Sequence, residues 1–373
     1  MAGGALTSEW IAAFTAVPRS EFLPDLMWPF DMASGHSVPV SRSDAPERWH
    51  DYADSDVPIV TQWDDGQHTG REPGTLSTSS ASMPSMVFAM LRDLSVRHGH
   101  QVLEIGTGTG WNAALLAHRV GADNVTTVEI DPAVAQDANR ALQRCGLPVT
   151  AITGDGTLGY PDRAPYDRVI ATAGLRAQVP WAWVEQTQPG GIIITPWGTD
   201  FGNGDAIARL VVAEDGLTAS GRFTGPAEFM KFRAQRVAPI EHDKYVPDGV
   251  AEGDQSATAL TEGEFLGDRF DARRFAYGLR IPHCTMVVAG KRDGVRPVWL
   301  YSRTDHSWAC VMFRDGDTAP VWQRGDRRLW DEAHAAYDWW ADNGRPDHTR
   351  FGLTVTPEGE SVWLDSPAGA WRI

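Results

Sequence analysis

Three closely spaced glycines lie in the segment VLEIGTGTGWNAALLAHRV, residues 102–120. The residues before them have the apolar pattern of a buried strand, and those after them have a helical pattern. Gly106, Gly108 and Gly110 therefore predict a turn in which the backbone closely approaches a ligand or another segment. Dinucleotides, phosphates and cofactors without phosphate all use such turns, so the glycines alone leave three chemistries open.

Two acidic residues narrow this choice. Glu129 ends the next strand, NVTTVEI, where a carboxylate can accept both ribose hydroxyls of NAD or of S-adenosylmethionine. Asp155, in ITGDG, ends a third strand, where it can read an adenine edge; the alternative is that Asp155 and Gly156 only form a turn. The segment has no second phosphate-binding loop and no Lys or Arg placed near the first, which favours the cofactor without phosphate.

The elements that position these residues alternate between strand and helix from residue 100 to about 215. Apolar strands in such an alternation predict an α/β fold with a parallel sheet covered on both faces. After about residue 236 the pattern changes to strands and hairpins with one helix, residues 326–343. Its residues at helical spacing favour a core face over a ligand platform: Trp330, Ala333, Tyr337 and Trp340.

Three segments are expected on this basis. Residues 1–95 form a helical and loop segment on the substrate side, 96–236 the cofactor-binding domain, and 237–373 a separate α+β domain. Within the first segment, Thr7 is expected to cap a helix over SEWIAAFTAV, and residues 32–80 read as loops with short strands. MPSMVFAMLRDL predicts an amphipathic helix with Pro84 in its first turn.

Composition excludes several classes of partner. The formal charge of −16 argues against a broad nucleic-acid surface and is compatible with a small cofactor or a peptide carrying some positive charge. Cys145, Cys284 and Cys310 are too widely spaced for a disulfide framework or zinc ribbon, and nothing resembles a metal site. No secretory signal and no apolar run of roughly 18 residues is visible, so we expect a soluble, cytoplasmic protein that does not bind membranes.

Several ordered motifs resemble the protein-L-isoaspartate O-methyltransferases over about residues 10–236: VPRSEFLPD, VLEIGTGTGWNAALLA and the long segment from GDGTLGYPDR to IIITPWG. The resemblance implies a Rossmann-like, S-adenosylmethionine-dependent methyltransferase fold, with a peptide carboxylate as methyl acceptor. The candidate cofactor-binding residues are Ser80, Glu104, Gly106, Thr107, Gly108, Gly110, Trp111, Glu129, Ile130, Asp155, Gly156 and Thr172.

The active-site string of that family, Thr-Ile-Ser-Ala-Pro-His-Met, aligns with SASMPSM at residues 80–86. Ser82 matches the serine and is the candidate catalytic residue, because its hydroxyl can orient a carboxylate. The alternative role of Ser82 is an N-cap for the helix after Met83. Ser85 stands where the family has histidine. A longer loop, residues 58–80, replaces a short glycine turn, and Asp64 and Asp65 in it favour a hairpin turn over a peptide-binding loop.

The C-terminal extension resembles that of relatives that accompany the maturation of lanthipeptides and graspetides. This resemblance implies methylation of an ordinary aspartate in a modified ribosomal peptide, followed by aspartimide formation. The first alternative is an isoaspartate repair enzyme with an extra domain. The second is a binding or self-resistance protein on an inactive methyltransferase fold, and the retained Glu129 and Asp155 speak against it.

Overall fold

The computed structural model describes residues 4–176, 178–316 and 318–373, and the chain forms two compact units. The first unit contains the chain up to Ala173 together with Pro180–Thr195 and Arg209–Ser220. The second unit contains Gly174–Val179, Pro196–Ala208 and Gly221–Ile373. This division differs from the expected boundaries after residues 95 and 236, because the N-terminal segment clusters with the parallel sheet and two short earlier stretches cluster with the C-terminal region.

The N-terminal part of the first unit contains three helices and five short strands. The helices are α1 (Ile11–Ala16), α2 (Pro46–Asp54) and α3 (Pro84–Leu94). The strands are β1 (Leu26–Asp31), β2 (His36–Ser37), β3 (Val40–Ser41), β4 (Ile59–Trp63) and β5 (Ser77–Ala81). All their pairings are antiparallel: β1 pairs with β2, β3 and β4, and β4 pairs with β5.

Two of the three N-terminal helices follow the sequence prediction. Thr7 precedes the first helical turn, but its side chain makes no capping hydrogen bond. Pro84 occupies the first turn of α3, as predicted. Helix α2 lies where only loops and strands were expected; it is short and polar, and it forms because Trp49 and Ala53 are buried in the N-terminal core.

The predicted alternation of strand and helix is confirmed in the rest of the first unit. Its strands are β6 (Val102–Ile105), β7 (Val125–Glu129), β8 (Thr150–Thr153) and β9 (Tyr166–Ala171), and its helices are α4 (Trp111–Val120), α5 (Pro132–Arg144) and α6 (Trp181–Glu185). Four more strands are β10 (Leu175–Arg176), β11 (Thr187–Gly198), β12 (Asp205–Val212) and β13 (Ala219–Ala227). The parallel order is β11-β9-β6-β7-β8, with β11 paired to β9 through its residues up to Ile194.

The second unit has a five-stranded antiparallel sheet in the order β14-β18-β17-β16-β15. Its strands are β14 (Asp254–Thr258), β15 (Cys284–Val288), β16 (Arg296–Ser302), β17 (Trp308–Phe313) and β18 (Ala319–Arg324). The helices are α7 (His242–Tyr245), α8 (Glu262–Leu266), α9 (Ala272–Arg280) and α10 (Leu329–Asp342). Helix α10 confirms the predicted helix, and Trp330 and Ala333 on it are buried against this sheet.

The second unit ends with three more strands, β19 (Phe351–Thr356), β20 (Gly359–Leu364) and β21 (Trp371–Arg372), which continue from β13 in the order β13-β19-β20-β21. Cys284 and Cys310 are buried free thiols, and the free thiol of Cys145 is partly exposed. Among the residues that the structure describes, no helix is both long enough and apolar enough to cross a membrane.

A glycine in β19 gives a test of packing in the second unit. Gly352 pairs with Trp363, and a Cβ on Gly352 would overlap the Trp363 ring. We expect Gly352→Ala to lower the free energy of unfolding by about 1–3 kcal/mol, since the indole must leave its position. Gly225→Ala, on β13 with nothing within 4 Å, is the control. Equal denaturation midpoints for the two variants would contradict this packing argument.

Candidate active site

The glycine turn connects β6 to α4 and has left-handed backbone at all three glycines, with φ of 93° at Gly106, 54° at Gly108 and 89° at Gly110. A Cβ on Gly106 would lie 2.9 Å from Thr172 Oγ1, and one on Gly110 would lie 3.3 Å from the Ala138 Cβ on α5. At two of the three glycines, neighbouring protein groups therefore leave too little room for a side chain. Thr172, the last of the predicted cofactor residues, also donates a hydrogen bond to the Gly106 carbonyl.

Glu129 ties this turn to the end of the second parallel strand. Its Oε2 accepts the Gly108 N–H at 2.9 Å, and its Oε1 accepts the Asp131 N–H at 3.1 Å. Asp131 in turn caps α5 by accepting the amides of Ala133 and Val134 at 3.0 and 3.2 Å. The loops after β6 and β7 are thus held against each other by one carboxylate that is only 9% exposed.

Glu104 lies behind the glycine turn and is fully buried. Its Oε1 accepts the Asn112 amide at 2.7 Å, its Oε2 accepts the Thr127 hydroxyl at 2.5 Å, and that hydroxyl lies 2.6 Å from the Thr107 hydroxyl. Desolvation, opposed by these hydrogen bonds and reinforced by the charge of Glu129, raises the pKa of Glu104 to about 7. Glu104 therefore supports the turn from the interior through Thr127 and Thr107.

The predicted adenine side is more open. Asp155 is exposed and accepts the amide and hydroxyl of Thr157 at 2.9 and 2.8 Å, so it caps a short 3₁₀ turn. The Gly156 carbonyl accepts the Trp183 indole at 2.8 Å. Ile130 follows Glu129 directly and is 44% exposed, an unusual position for a large aliphatic side chain. These three predicted residues lie at the ends of β7 and β8, and a role in binding adenine stays a prediction.

Trp111 has a structural environment. Its indole is buried, donates to the Val17 carbonyl at 3.0 Å and packs edge-on against Phe88 of α3. The side chain therefore anchors α1 and α3 to the first turn of α4. A role for Trp111 in binding the cofactor stays a prediction.

The acceptor side of the site begins at β5. The Ser80 carbonyl lies 3.5 Å from the position of a Cβ on Gly108, so β5 runs beside the glycine turn. Ser82 follows β5 and is partly buried, and its hydroxyl makes no hydrogen bond within the described part of the chain. The alternative role as an N-cap is wrong: Met83 is the N-cap of α3, and the Asp56 carboxylate accepts the Ser85 amide at 2.8 Å.

Sequence reasoning missed three residues that hold this site together. Arg19 donates to backbone carbonyls on both sides of the serine, Asp56 accepts from the first turn of α3, and Thr127 joins Glu104 to the turn. The only signal for Arg19 was its place in the VPRSEFLPD motif. The other two residues gave none, since a single Asp in a loop and a Thr in a strand have many ordinary roles.

A parallel sheet with a glycine turn after its first strand and an acidic residue after its second defines a nucleoside-binding α/β domain. The sequence profile of the protein-L-isoaspartate(D-aspartate) O-methyltransferase family matches residues 45–221. A protein-L-isoaspartate O-methyltransferase of Xanthobacter autotrophicus is 38% identical over 159 residues, which are 42% of this chain and 68% of the relative. The chain belongs to this family.

Other relatives with the same name come from archaea. The protein of Pyrococcus abyssi is 46% identical over 121 residues, which cover 32% of this chain and 55% of that protein. The protein of Thermococcus onnurineus is 47% identical over 148 residues, 39% of this chain and 66% of the relative. The chain thus spans between about half and two thirds of the length of these relatives.

A solved structure titled protein-L-isoaspartate O-methyltransferase has the same fold, with a TM-score of 0.53 and 21% sequence identity. The match covers 97% of this chain and 96% of the other chain. The predicted Rossmann-like methyltransferase fold with additional C-terminal strands is therefore confirmed.

Glu104 makes stability depend on pH. Its folded pKa is raised from 4.5 to about 7, so its stabilising contribution is complete below about pH 4.5 and is lost as the pH rises through about 7. Between pH 5 and 8 we expect the wild type to lose about 2–3 kcal/mol more unfolding free energy than Glu104→Gln. Urea denaturation at both pH values measures this difference. Exposed Glu185→Gln should follow the wild type, and a Glu104→Gln curve parallel to both would contradict the expectation.

Proposed function

We propose that the protein transfers a methyl group from S-adenosylmethionine to a carboxylate of a protein or peptide, and that an isoaspartyl carboxylate is the best supported acceptor. Family membership supports the reaction class. The observation that carries the proposal is the position of Gly108: its amide bonds to Glu129 on the donor side, and its Cα faces the Ser80 carbonyl, two residues before Ser82.

The residues present fit the proposed donor. Glu129 accepts the Gly108 and Asp131 amides at the end of the second parallel strand, the position from which a carboxylate accepts the ribose hydroxyls of a nucleoside. Ile130 offers an exposed apolar face for an adenine ring. Asp155 uses Oδ1 for its own turn, and within the described residues its Oδ2 makes no hydrogen bond, so Oδ2 can accept from an exocyclic amine.

S-adenosylmethionine, when bound, supplies an electrophilic methyl group on a positively charged sulfur. A peptide carboxylate has a reference pKa near ~4, so it is already an ionised nucleophile at neutral pH and no general base is needed. One carboxylate oxygen forms the bond to the methyl carbon while the carbon–sulfur bond breaks and its electron pair stays on sulfur. The Ser82 hydroxyl can donate to the other carboxylate oxygen and fix its orientation without neutralising it.

An ordinary aspartate of a modified ribosomal peptide is the second candidate acceptor. It is favoured by Ser85, where the family has histidine, and by the loop between β4 and β5. Asp64 closes the base of this loop by accepting the amides of Thr75 and Leu76 at 3.1 and 2.7 Å. Within the loop, the backbone carbonyl of Arg71 accepts the Trp28 indole N–H at 2.7 Å. An aspartyl methyl ester would lose methanol when the next amide nitrogen attacks its carbonyl carbon and closes the imide.

The C-terminal region does not separate the two candidates. The solved structure named protein-L-isoaspartate O-methyltransferase matches the fold of almost the whole chain, so the C-terminal strands are not a feature of this chain alone. Engagement of the peptide by residues 237–373 stays a proposal that rests on the aromatic residues and strand edges of the second unit.

Glu129 tests the donor side of the proposal. We expect Glu129→Ala to weaken S-adenosylmethionine binding by about 10- to 100-fold, because hydrogen bonds to a charged group contribute about 1.5–3 kcal/mol. Titration calorimetry measures the affinity, and thermal unfolding checks that the variant is folded. Asp137→Ala, on the exposed side of α5, is the matched acidic control and should bind normally. Unchanged affinity in Glu129→Ala would remove this residue from the site.

Paired peptides test the acceptor. With labelled donor, peptides that differ only in an isoaspartyl or aspartyl residue should give at least 10-fold faster methylation of the isoaspartyl form, measured by mass spectrometry. Ser82→Ala should lower turnover about 10-fold or more without a matching fall in melting temperature, since Ser82 is not a cap. Faster reaction of the aspartyl form, followed by loss of methanol, would instead establish the second candidate. Ser85→His should shift the preference toward isoaspartyl.

A further inference from the structure

Arg19 is a buried cation close to the proposed acceptor site. It begins the 3₁₀ turn after α1, is 4% exposed, and its guanidinium lies 5.6 Å from the centre of the Trp111 ring. Burial lowers the pKa of Arg19 to about 10, while the charges of Asp56 and Asp54 oppose this shift. Arg19 is therefore protonated at neutral pH, and its hydrogen bonds are charge-assisted.

Among the described residues, the guanidinium of Arg19 donates hydrogen bonds only to backbone carbonyls. Its Nη1 lies 3.3 Å from the Ser55 carbonyl oxygen, and its Nη2 lies 3.0 Å from that of Val57. The same Nη2 lies 2.9 Å from the carbonyl oxygens of both Ala81 and Ser82. Successive carbonyls of an extended strand point to opposite sides, so two consecutive carbonyls on one nitrogen mark a bend of the backbone at Ser82.

Asp56 holds the same bend from the helical side. Its Oδ1 accepts the Ser85 amide at 2.8 Å, and Asp56 follows directly after Ser55, whose carbonyl Arg19 also binds. The segment from Ala81 to Ser85 is thus fixed at its start by Arg19 and at its end by Asp56. The Ser82 hydroxyl has no hydrogen bond of its own to the described residues, so the backbone conformation of this segment sets where its Cβ lies and which positions its hydroxyl can reach.

We propose that Arg19 is a positioning residue that acts through Ser82, with Asp56 as its counterpart; this rests on the proposed methyl transfer. A buried arginine that only stabilises the fold would affect turnover no more than any other loss of stability. A positioning residue changes the orientation of the acceptor carboxylate, so it changes kcat while donor binding stays intact.

A matched control lies at the other end of α3. Arg168 donates to the Leu94 carbonyl at 2.8 Å and to the Ser95 carbonyl at 3.2 Å, so it also ties α3 to its neighbours through backbone carbonyls. Arg19→Lys and Arg168→Lys both keep the charge and remove the planar set of donors. Only Arg19→Lys should lower kcat, by 10-fold or more, with the KM for S-adenosylmethionine within 2-fold of the wild type.

A double-mutant cycle with Ser82→Ala tests the route of the effect. If Arg19 acts through Ser82, Arg19→Lys changes kcat less than 2-fold when Ser82 is already alanine. Equal losses in both backgrounds, or equal losses in the two lysine variants, would overturn the inference. Should Arg19→Lys fail to fold, Asp56→Ala replaces it, with the same expected dependence on Ser82.

Hydrogen exchange separates this inference from the proposed function. Arg19→Lys should speed amide exchange at least 10-fold at Ser82, Met83 and Ser85, while exchange in α5 stays unchanged. Unchanged exchange at these three amides would overturn the inference even if the enzyme methylates its peptide. No methyl transfer by the wild type to either paired peptide would overturn the proposed function, while the faster local exchange would still support the role of Arg19 in holding the Ser82 segment.

Discussion

The hydrogen bond from the Gly108 amide to Glu129 connects the parts of the first unit that the proposed chemistry needs. It joins the turn after β6 to the end of β7, and Asp131 extends the connection to the start of α5. Because Gly108 also faces the Ser80 carbonyl, the position of β5 depends on the same turn. Because this carboxylate accepts two backbone amides, the protein fixes this edge of the proposed site before a ligand arrives.

The sequence was most informative where one physical rule governs a long stretch. Alternating apolar strands and helices predicted the parallel sheet, and the glycines with Glu129 predict which edge of it holds the proposed donor site. The contact that a Cβ on Gly110 would make with Ala138 of α5 is known only from the structure. Glycine spacing could not show that Thr172 leaves no room for a Cβ on Gly106, because these two residues follow strands that are distant in sequence.

The features that the sequence did not predict have a common cause, which is that they depend on contacts between distant segments. Helix α2 has a polar sequence and forms because Trp49 and Ala53 complete a core whose other members come from distant segments. Arg19 bonds to carbonyls of residues 55–57 and 81–82, and backbone carbonyls leave no trace in the sequence. The short stretch Gly174–Val179 shows the same limit, because it lies within the α/β alternation of the sequence yet clusters with the second unit.

Family membership and the local geometry favour different acceptors. The family favours an isoaspartyl carboxylate, whereas the residues around Ser82 differ from the family pattern. Methyl transfer to any carboxylate needs the same donor site, so Glu129 and the glycine turn say nothing about isoaspartate. Selectivity must come from the residues that surround the acceptor, and there Ser85 and the loop closed by Asp64 depart from the family pattern. The backbone at Ser82 is nevertheless held by charged side chains on both sides, the buried Arg19 and the partly buried Asp56. Because the backbone at Ser82 is held in one conformation, the acceptor carboxylate must adopt an orientation that its hydroxyl can reach. This favours acceptors of one geometry, such as the aspartyl or the isoaspartyl form, over acceptors of varied geometry.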